Sequence, residues 1–131
     1  MKKLLLLGTS NATKEIIDYA RSSGIYTIVT DDKSPDISYA KKWADEYWMI
    51  NTTETEKLAE KCIIEGVNGV FCGLSEFNIE MMIKLTDKLG LPCYLSEKSW
   101  HYSKDKHDFK QKCNEYNVPV ARDYHISTDY K

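Results

Sequence analysis

The residues of this sequence that are best suited to chemistry stand directly after short apolar runs. The first group is Gly8-Thr9-Ser10-Asn11, where a flexible glycine and two hydroxyls precede a helical pattern. Free backbone N–H groups and the helix dipole at such a place favour an anion such as phosphate or carboxylate. A tight turn in which Asn11 caps the helix accounts for the same residues. Both interpretations stay open from the sequence.

Two acidic positions follow later runs. Asp31 stands where a nucleotide-binding sheet would hold a ribose hydroxyl, but Asp31 and Asp32 also fit a plain turn. Glu76 follows Gly73-Leu74-Ser75. Its carboxylate could bind a substrate amine or support the positive end of the next helix.

Several kinds of site are excluded by spacing. A dinucleotide site needs the pattern G-x-G-x-x-G, but Ser10 and Thr13 occupy its second and third glycine positions. His101, His107 and His125 lack metal-ligand spacing with any Cys, Asp or Glu, and no Ser-His-Asp or Cys-His set can be placed. We therefore expect neither a metal site nor a catalytic residue within this chain.

Composition limits the class of protein. A chain of 131 residues with 42% hydrophobic and 29% charged residues suits one globular domain. The net charge of −2 argues against a nucleic-acid surface, and no apolar run approaches the ~20 residues of a membrane span. The four cysteines are widely spaced, which favours free thiols in a reducing cytoplasm over disulfides.

The apolar runs predict the strands that would position the polar groups. They lack strict alternation, which is typical of strands buried on both faces of a parallel sheet. The predicted strands are Lys3 to Leu7, Tyr26 to Thr30, Glu46 to Ile50, Gly69 to Cys72, and Pro92 to Leu95. In such a sheet, ligands bind at the carboxyl ends of the strands, near the switch in strand order.

Amphipathic patterns between the runs predict helices. One begins at Asn11 and ends before Gly24, a second buries Leu58, Ala59, Cys62 and Ile63, and a third buries Met81, Met82, Leu85 and Leu89. The predicted order is β-α-β-(short helix)-β-α-β-α-β. The fold class is therefore α/β, with a doubly wound, mainly parallel, five-stranded Rossmann-like sheet.

The carboxyl-terminal region has a different pattern. Lys104 to Tyr116 predicts a helix with Phe109, Cys113 and Tyr116 on one face, and Ala121 to Ile126 predicts a strand without a partner. We predict a Rossmann-like domain over residues 1–98. Residues 99–131 would form a linker helix and the start of a further, truncated domain.

Six segments, taken in order and spacing, carry a resemblance that covers essentially the whole chain. They are K-K-L-L-L-L-G-T-S, I-V-T-D-D-K-S-P-D, A-D-E-Y-W-M-I-N, G-V-F-C-G-L-S-E, L-G-L-P and D-K-H-D-F-K-Q-K-C-N-E-Y-N-V-P. Together they resemble the N-terminal, pre-ATP-grasp domain of the ATP-grasp ligases. That superfamily includes the carbamoyl phosphate synthetase large subunit, biotin carboxylase and glycinamide ribonucleotide synthetase.

The resemblance implies roles for particular residues. Gly8, Thr9, Ser10 and Glu76 would contact a carboxylate or amine substrate, and Asn11 and Asp31 are further candidates beside them. Lys106, in the segment that resembles the start of the ATP-grasp domain proper, would lie near the nucleotide phosphates. An exposed lysine on an amphipathic helix is the alternative interpretation for Lys106.

The resemblance also implies an activity for the full-length enzyme. A carboxylate would attack the γ-phosphate of ATP, which gives an acyl phosphate and releases ADP. An amine or thiol nucleophile would then displace phosphate from the acyl phosphate, with Mg²⁺ bridging the ATP phosphates. The metal ligands would lie beyond Lys131, so we expect this fragment to be inactive and to hold no tightly bound cofactor. Relatives are often dimers, which implies a homodimer as one arrangement. A complete small Rossmann-like module that binds a nucleotide or phosphometabolite is the competing hypothesis.

Overall fold

The computed structural model describes residues 1–124, and the chain divides into two compact units, Met1–Ser96 and Glu97–Lys131. The first unit contains a sheet of four parallel strands in the order β3-β2-β1-β4. The strands are β1 (Lys3–Leu7), β2 (Tyr26–Asp31), β3 (Glu46–Met49) and β4 (Gly69–Cys72). The strand order reverses beside β1, because the chain builds outward through β2 and β3 before β4 pairs with the other edge of β1.

The helices of the first unit alternate with these strands. They are α1 (Thr13–Ser22), α2 (Ala40–Trp43), α3 (Thr55–Glu65) and α4 (Glu76–Leu89). Neighbouring residues on each strand point to opposite faces of the sheet. Accordingly Leu5 packs in one core cluster with Leu58 of α3 and Leu85 of α4, while Leu6 packs in another with Ile17 of α1. Both faces are thus covered by helices, and the predicted doubly wound α/β class is confirmed.

The predicted fifth strand is not present among the described residues. Residues 92–95 carry no strand pairing, although the Tyr94 ring lies 5.6 Å from the Phe71 ring of β4. The backbone bends at Tyr94, within the four residues of the predicted strand. The segment therefore packs beside β4 as irregular chain, and the sheet has four strands in the part of the chain that is described.

Two local predictions for the helices of the first unit need correction. Asn11 does not cap α1, whose N-cap residue is Ala12 without a side-chain hydrogen bond. Instead the Ser10 N–H donates to the hydroxyl of Thr13, the first residue of α1, at 2.8 Å. A residue inside the helix therefore satisfies the backbone donor of the preceding turn. Ile63 does not join the buried face of α3, because it lies beyond the stripe formed by Leu58 and Cys62 and is exposed.

The described part of the second unit, residues 97–124, contains two helices, α5 (Glu97–Lys104) and α6 (Lys106–Glu115). The helix predicted from Lys104 to Tyr116 is present, and it begins at Lys106. Its expected apolar face is not buried, since Phe109 is 51% exposed and Tyr116 is 75% exposed. Of the strand predicted from Ala121 to Ile126, residues 121–124 are irregular and the rest lie outside the described residues.

No helix within residues 1–124 combines the length and the apolar character needed to cross a bilayer.

Candidate functional site

A cleft with a volume of about 410 Å³ opens at the carboxyl ends of the strands. Its walls come from the loops after β1, β2 and β3 and from the start of α4. The lining residues are Gly8, Thr9, Asp31, Asp32, Lys33, Ile37, Ser38, Asn51, Thr52, Ser75, Phe77 and Asn78. The cleft therefore lies beside the reversal in strand order, where ligands bind in open α/β sheets.

Gly8 allows the close approach of two elements at the floor of the cleft. Its φ is +75°, and its N–H donates to the Thr30 carbonyl at 2.9 Å. A Cβ at this position would stand 2.6 Å from Nδ2 of Asn78 on α4. Both the left-handed conformation and the missing side chain are thus needed for the β1 loop to pass under α4.

Asp31 is a buried carboxylate whose two oxygens are both occupied. Oδ1 lies 2.7 Å from Lys41 Nζ and accepts the Lys33 N–H at 2.9 Å, while Oδ2 accepts the Ser38 hydroxyl at 2.5 Å. Burial alone would raise the pKa of Asp31, but the hydrogen bonds from Lys41, Ser38 and the Lys33 N–H together hold it below its ordinary value. Asp31 is therefore ionised and organises the loop after β2.

Lys41 is a buried ammonium with a set of acceptors around it. Its side chain is 0% exposed, and Nζ donates to the carbonyl of Asp31 at 2.9 Å and to that of Lys33 at 2.5 Å. The Met49 sulfur lies 3.2 Å from the same nitrogen. A buried charge is tolerated when it is paired and hydrogen-bonded in this way. α2 thus fixes the loop that forms one wall of the cleft.

Thr9 connects this buried network to the cleft. Its hydroxyl lies 2.5 Å from the Ser38 hydroxyl and 3.5 Å from Oδ2 of Asp31. Ser38 is only 1% exposed, whereas Thr9 is exposed in the cleft. The side chain of Thr9 is therefore the solvent-facing end of the network.

The loops after β2 and β3 are joined by polar contacts. Asn51 Nδ2 donates to Asp32 at 2.8 Å, and Asn51 Oδ1 accepts from the N–H and the hydroxyl of Thr53. On the rim, the exposed side chains of Ile37 and Phe77 add apolar surface. Hydrogen-bonding groups at the base and apolar groups at the rim suit a small organic ligand.

Asn78 brings α4 to the floor of the cleft. Its N–H donates to the Ser75 hydroxyl at 3.3 Å, which caps α4, and its Nδ2 donates to the Leu7 carbonyl at 3.4 Å. Among the described residues, its buried Oδ1 has no hydrogen-bond partner. The side chain thus ties α4 to the end of β1 while one acceptor remains unused.

The predicted site residues separate into two groups. Gly8, Thr9 and Asp31 line the cleft, but Ser10, Asn11 and Glu76 are not among its lining residues. The Ser10 N–H is occupied by Thr13. Glu76 is exposed in the first turn of α4, where a carboxylate favours the helix dipole.

Lys106 lies in the second unit, as the first residue of α6, and is exposed. The preceding Asp105 caps the helix, since its carboxylate accepts the N–H groups of His107 and Asp108. Those hydrogen bonds, that of Asp108 first, hold the pKa of Asp105 below its ordinary value. The expected contact of Lys106 with nucleotide phosphates remains a prediction.

Among the residues that sequence reasoning missed are Ser38 and Asn78, which line the cleft, and Lys41, which lies behind it. A lysine next to Ala40 and Lys42 reads as an exposed side chain, and nothing in the local pattern indicates its burial. Asn78 offered a weak signal, because Ser75 and Asn78 are spaced as the N-cap and third residue of a helix.

In the range 1–124, no group of three or more His, Cys, Asp or Glu side chains could hold a metal ion. All four cysteines are free, as expected, and burial raises the pKa of Cys62 and of Cys72 to about 11. The buried thiols are therefore protonated at neutral pH and act as small apolar side chains.

Comparison with known proteins finds similarity in structure alone. No protein-family model and no curated protein sequence matches the chain. N5-carboxyaminoimidazole ribonucleotide synthetase from Thermotoga maritima superposes with a TM-score of 0.72 and 23% identity, over 93% of this chain and 32% of that one. Phosphoribosylglycinamide synthetase from Anaerococcus prevotii gives a TM-score of 0.74 and 23% identity, over 98% and 32% of the two chains.

A third similar structure is the biotin carboxylase domain of 2-oxoglutarate carboxylase from Hydrogenobacter thermophilus, a dimer in complex with MgADP, ADP and bicarbonate. It gives a TM-score of 0.73 and 20% identity, over 91% of this chain and 28% of that one. The chain thus spans about a third of the length of these enzymes. Identities below 25% show a shared fold, so the predicted resemblance to the pre-ATP-grasp domain is confirmed at the level of the fold.

Proposed function

We propose that this chain is the substrate-side, N-terminal domain of an ATP-dependent carboxylate–amine ligase. The observation that carries the proposal is the match of nearly the whole chain to one part of several ligases with different substrates. The cleft at the carboxyl ends of the strands would bind the carboxylate or amine substrate. The remaining machinery would belong to an ATP-grasp domain outside these residues.

In this proposal the two parts predicted from the sequence have different roles. Residues 1–98 would form the substrate wall, and residues 99–131 would lead into the ATP-grasp domain. The division of the chain between Ser96 and Glu97 into two compact units supports such an arrangement. The four free thiols suit a reducing cytoplasm, where we place the enzyme.

The chain's own residues would bind and orient substrate. Gly8 leaves room for the turn at the cleft floor, while Thr9 and Asp32 present oxygen atoms to the bound molecule. We propose that Ser10, Asn11 and Glu76, which do not line the cleft, contact substrate beside it. Bound ATP with Mg²⁺ would supply the phosphoryl group that activates the carboxylate, and Lys106 would neutralise phosphate charge.

A stand-alone binding module is the second candidate function. One observation favours it, because every residue of the cleft comes from the first compact unit, between Gly8 and Asn78. A site complete in one unit needs no further domain to hold a small ligand. This candidate predicts tight ligand binding by the 131-residue chain and no ATP hydrolysis.

The two candidates are separated by a comparison of proteins. The gene is expressed to its stop codon, and ADP release is measured with a panel of amino and carboxylic acids beside the 131-residue chain. The ligase proposal expects substrate-dependent ADP release from the longer protein, lost in Lys106→Ala and kept in Lys98→Ala, a control at another exposed lysine. Undiminished activity of Lys106→Ala would remove the proposed role of that residue. Tight nucleotide binding by the short chain would favour the module instead.

A further inference from the structure

Four side chains form a continuous hydrogen-bonded series from the protein interior to the cleft. Lys41 Nζ lies 2.7 Å from Oδ1 of Asp31, and Oδ2 of Asp31 lies 2.5 Å from the Ser38 hydroxyl. The Ser38 hydroxyl lies 2.5 Å from that of Thr9, which faces the cleft. The first three members are buried, and each contact of the series is direct.

The direction of these hydrogen bonds follows from counting protons. An ionised carboxylate only accepts, and an ammonium only donates. Two oxygen–oxygen contacts of 2.5 Å, Asp31–Ser38 and Ser38–Thr9, each require one proton between the atoms. Ser38 and Thr9 hold one hydroxyl proton each. Ser38 must therefore donate to Asp31, and Thr9 must donate to Ser38.

The consequence for the cleft is a fixed polarity at Thr9. Because its proton points inward, its oxygen presents only lone pairs to a bound molecule. The backbone on either side adds no donor, since the N–H of Gly8 is bonded to the Thr30 carbonyl and that of Ser10 to Thr13. The carboxylate of Asp32, also in the cleft, is a second acceptor. The side chains of Thr9 and Asp32 therefore offer acceptors, while the side chain of Lys33, on the loop after β2, is a cation that also lines the cleft.

We propose that Thr9 is a specificity-determining acceptor that selects a ligand with a hydroxyl or ammonium donor at this wall of the cleft. The inference rests on the proposed function, in which the cleft is a small-molecule site. An anionic group of the ligand, such as a phosphate, would be directed away from Thr9. An unpaired acceptor buried against another acceptor would cost affinity.

The proposal is tested with two probes of equal charge. The amide resonances of ¹⁵N-labelled protein are followed during titration with ethylammonium, which has three N–H donors, and with ethyltrimethylammonium, which has none. Inorganic phosphate is the third probe. We expect ethylammonium to shift the Thr9 resonance with an apparent affinity about threefold to tenfold higher than that of ethyltrimethylammonium. Phosphate should leave that resonance unchanged.

Two variants assign the preference to the hydroxyl. Thr9→Val keeps the shape without the acceptor and should reduce the preference to the part that Asp32 supplies, while Thr9→Ser should retain it in full. A preference that is undiminished in Thr9→Val, or a Thr9 resonance that responds to phosphate rather than ethylammonium, would overturn the inference while leaving the cleft a binding site. If no probe shifts any resonance of the cleft, the cleft's role as a small-molecule site fails and the inference fails with it.

Discussion

The ammonium of Lys41 lies 2.7 Å from the carboxylate of Asp31 inside the protein, 10 residues away along the chain. The pair connects α2 to the end of β2, next to the cleft. Removal of one member would leave the other as an unpaired buried charge. The loss of stability should therefore exceed that caused by breaking a surface ion pair.

We predict that Lys41→Met lowers the free energy of unfolding by about 3 kcal/mol, because Asp31 would lose its only charged partner among the described residues. Urea unfolding followed by circular dichroism measures the change. Lys42→Met is the matched control, because Lys42 pairs with the exposed Asp36. This substitution should lower the free energy of unfolding by less than about 1 kcal/mol.

A double variant tests whether the two charges act as a pair. Asp31→Asn combined with Lys41→Met should cost less than the sum of the single changes, because neither charge is then left alone. Additive costs would contradict the coupling. Equal stability of Lys41→Met and Lys42→Met would show that the buried ammonium is replaced without loss.

We predict that Gly8→Ala destabilises the fold and weakens ligand binding in the cleft. The methyl group would meet Asn78 Nδ2 at 2.6 Å, in addition to the strain of a φ of +75°. Strain alone is of the order of 1 kcal/mol. The measurement is the urea midpoint, followed by probe titration of any folded variant.

Gly24→Ala provides the control for Gly8→Ala. Gly24 has a similar φ of +69°, but an added Cβ would meet nothing within 4 Å. The Gly24→Ala variant therefore measures the cost of backbone strain without the steric contact that a Cβ at Gly8 would make with Asn78. Gly8→Ala should cost more than Gly24→Ala, and equal costs would mean that Asn78 moves aside freely.

The sequence predicts most of the sheet but only part of the site, and particular residues show why. Runs such as Leu4 to Leu7 identify strands because both faces of the sheet are buried, which is a local property of the pattern. The run from Pro92 to Leu95 misled the prediction, because its apolar composition does not reveal the backbone bend at Tyr94. Lys41 could not be found, because its acceptors at Asp31 and Lys33 are brought to it only by the folded loop.

The same distinction applies to the residues that were proposed for binding. Gly8 and Thr9 were found because the end of β1 is defined by its apolar run. Glu76 was grouped with them as a residue after β4, yet the first turn of α4 leaves it outside the cleft. The loop geometry decides which residue after a strand faces the cleft. A shift of one residue along the chain moves a side chain into or out of the cleft.

We predict that stability falls steeply in acid because of Asp31 and Asp45. Burial alone would raise both pKa values, but hydrogen bonds outweigh it and hold each below the ordinary value. The unfolded chain then binds more protons than the folded one. The stability from these groups is fully present above the unfolded pKa of about 3.9 and is lost as the pH falls through the folded pKa.

Urea unfolding between about pH 3 and pH 7 measures this dependence. Asp31→Asn and Asp45→Asn should each flatten the acid side of the profile, because each removes one proton uptake that is linked to unfolding. The Thr27 N–H and hydroxyl both donate to Asp45 at 2.8 Å, so the second site is independent of the cleft. An unchanged slope in both variants would assign acid sensitivity to other carboxylates.

Thiol reactivity should distinguish the buried cysteines from the others. The thiolate is the reactive form, and burial raises the pKa of Cys62 and of Cys72 to about 11. Cys93 and Cys113 are partly exposed. At pH 8 we expect two thiols to react with a disulfide reagent in the fast phase and two to react only as the protein opens.

Cys93→Ser should remove one fast equivalent, whereas Cys62→Ser should leave the fast phase intact. Four equivalents reacting at one fast rate would show that the sheet and α3 do not protect their thiols as this packing requires.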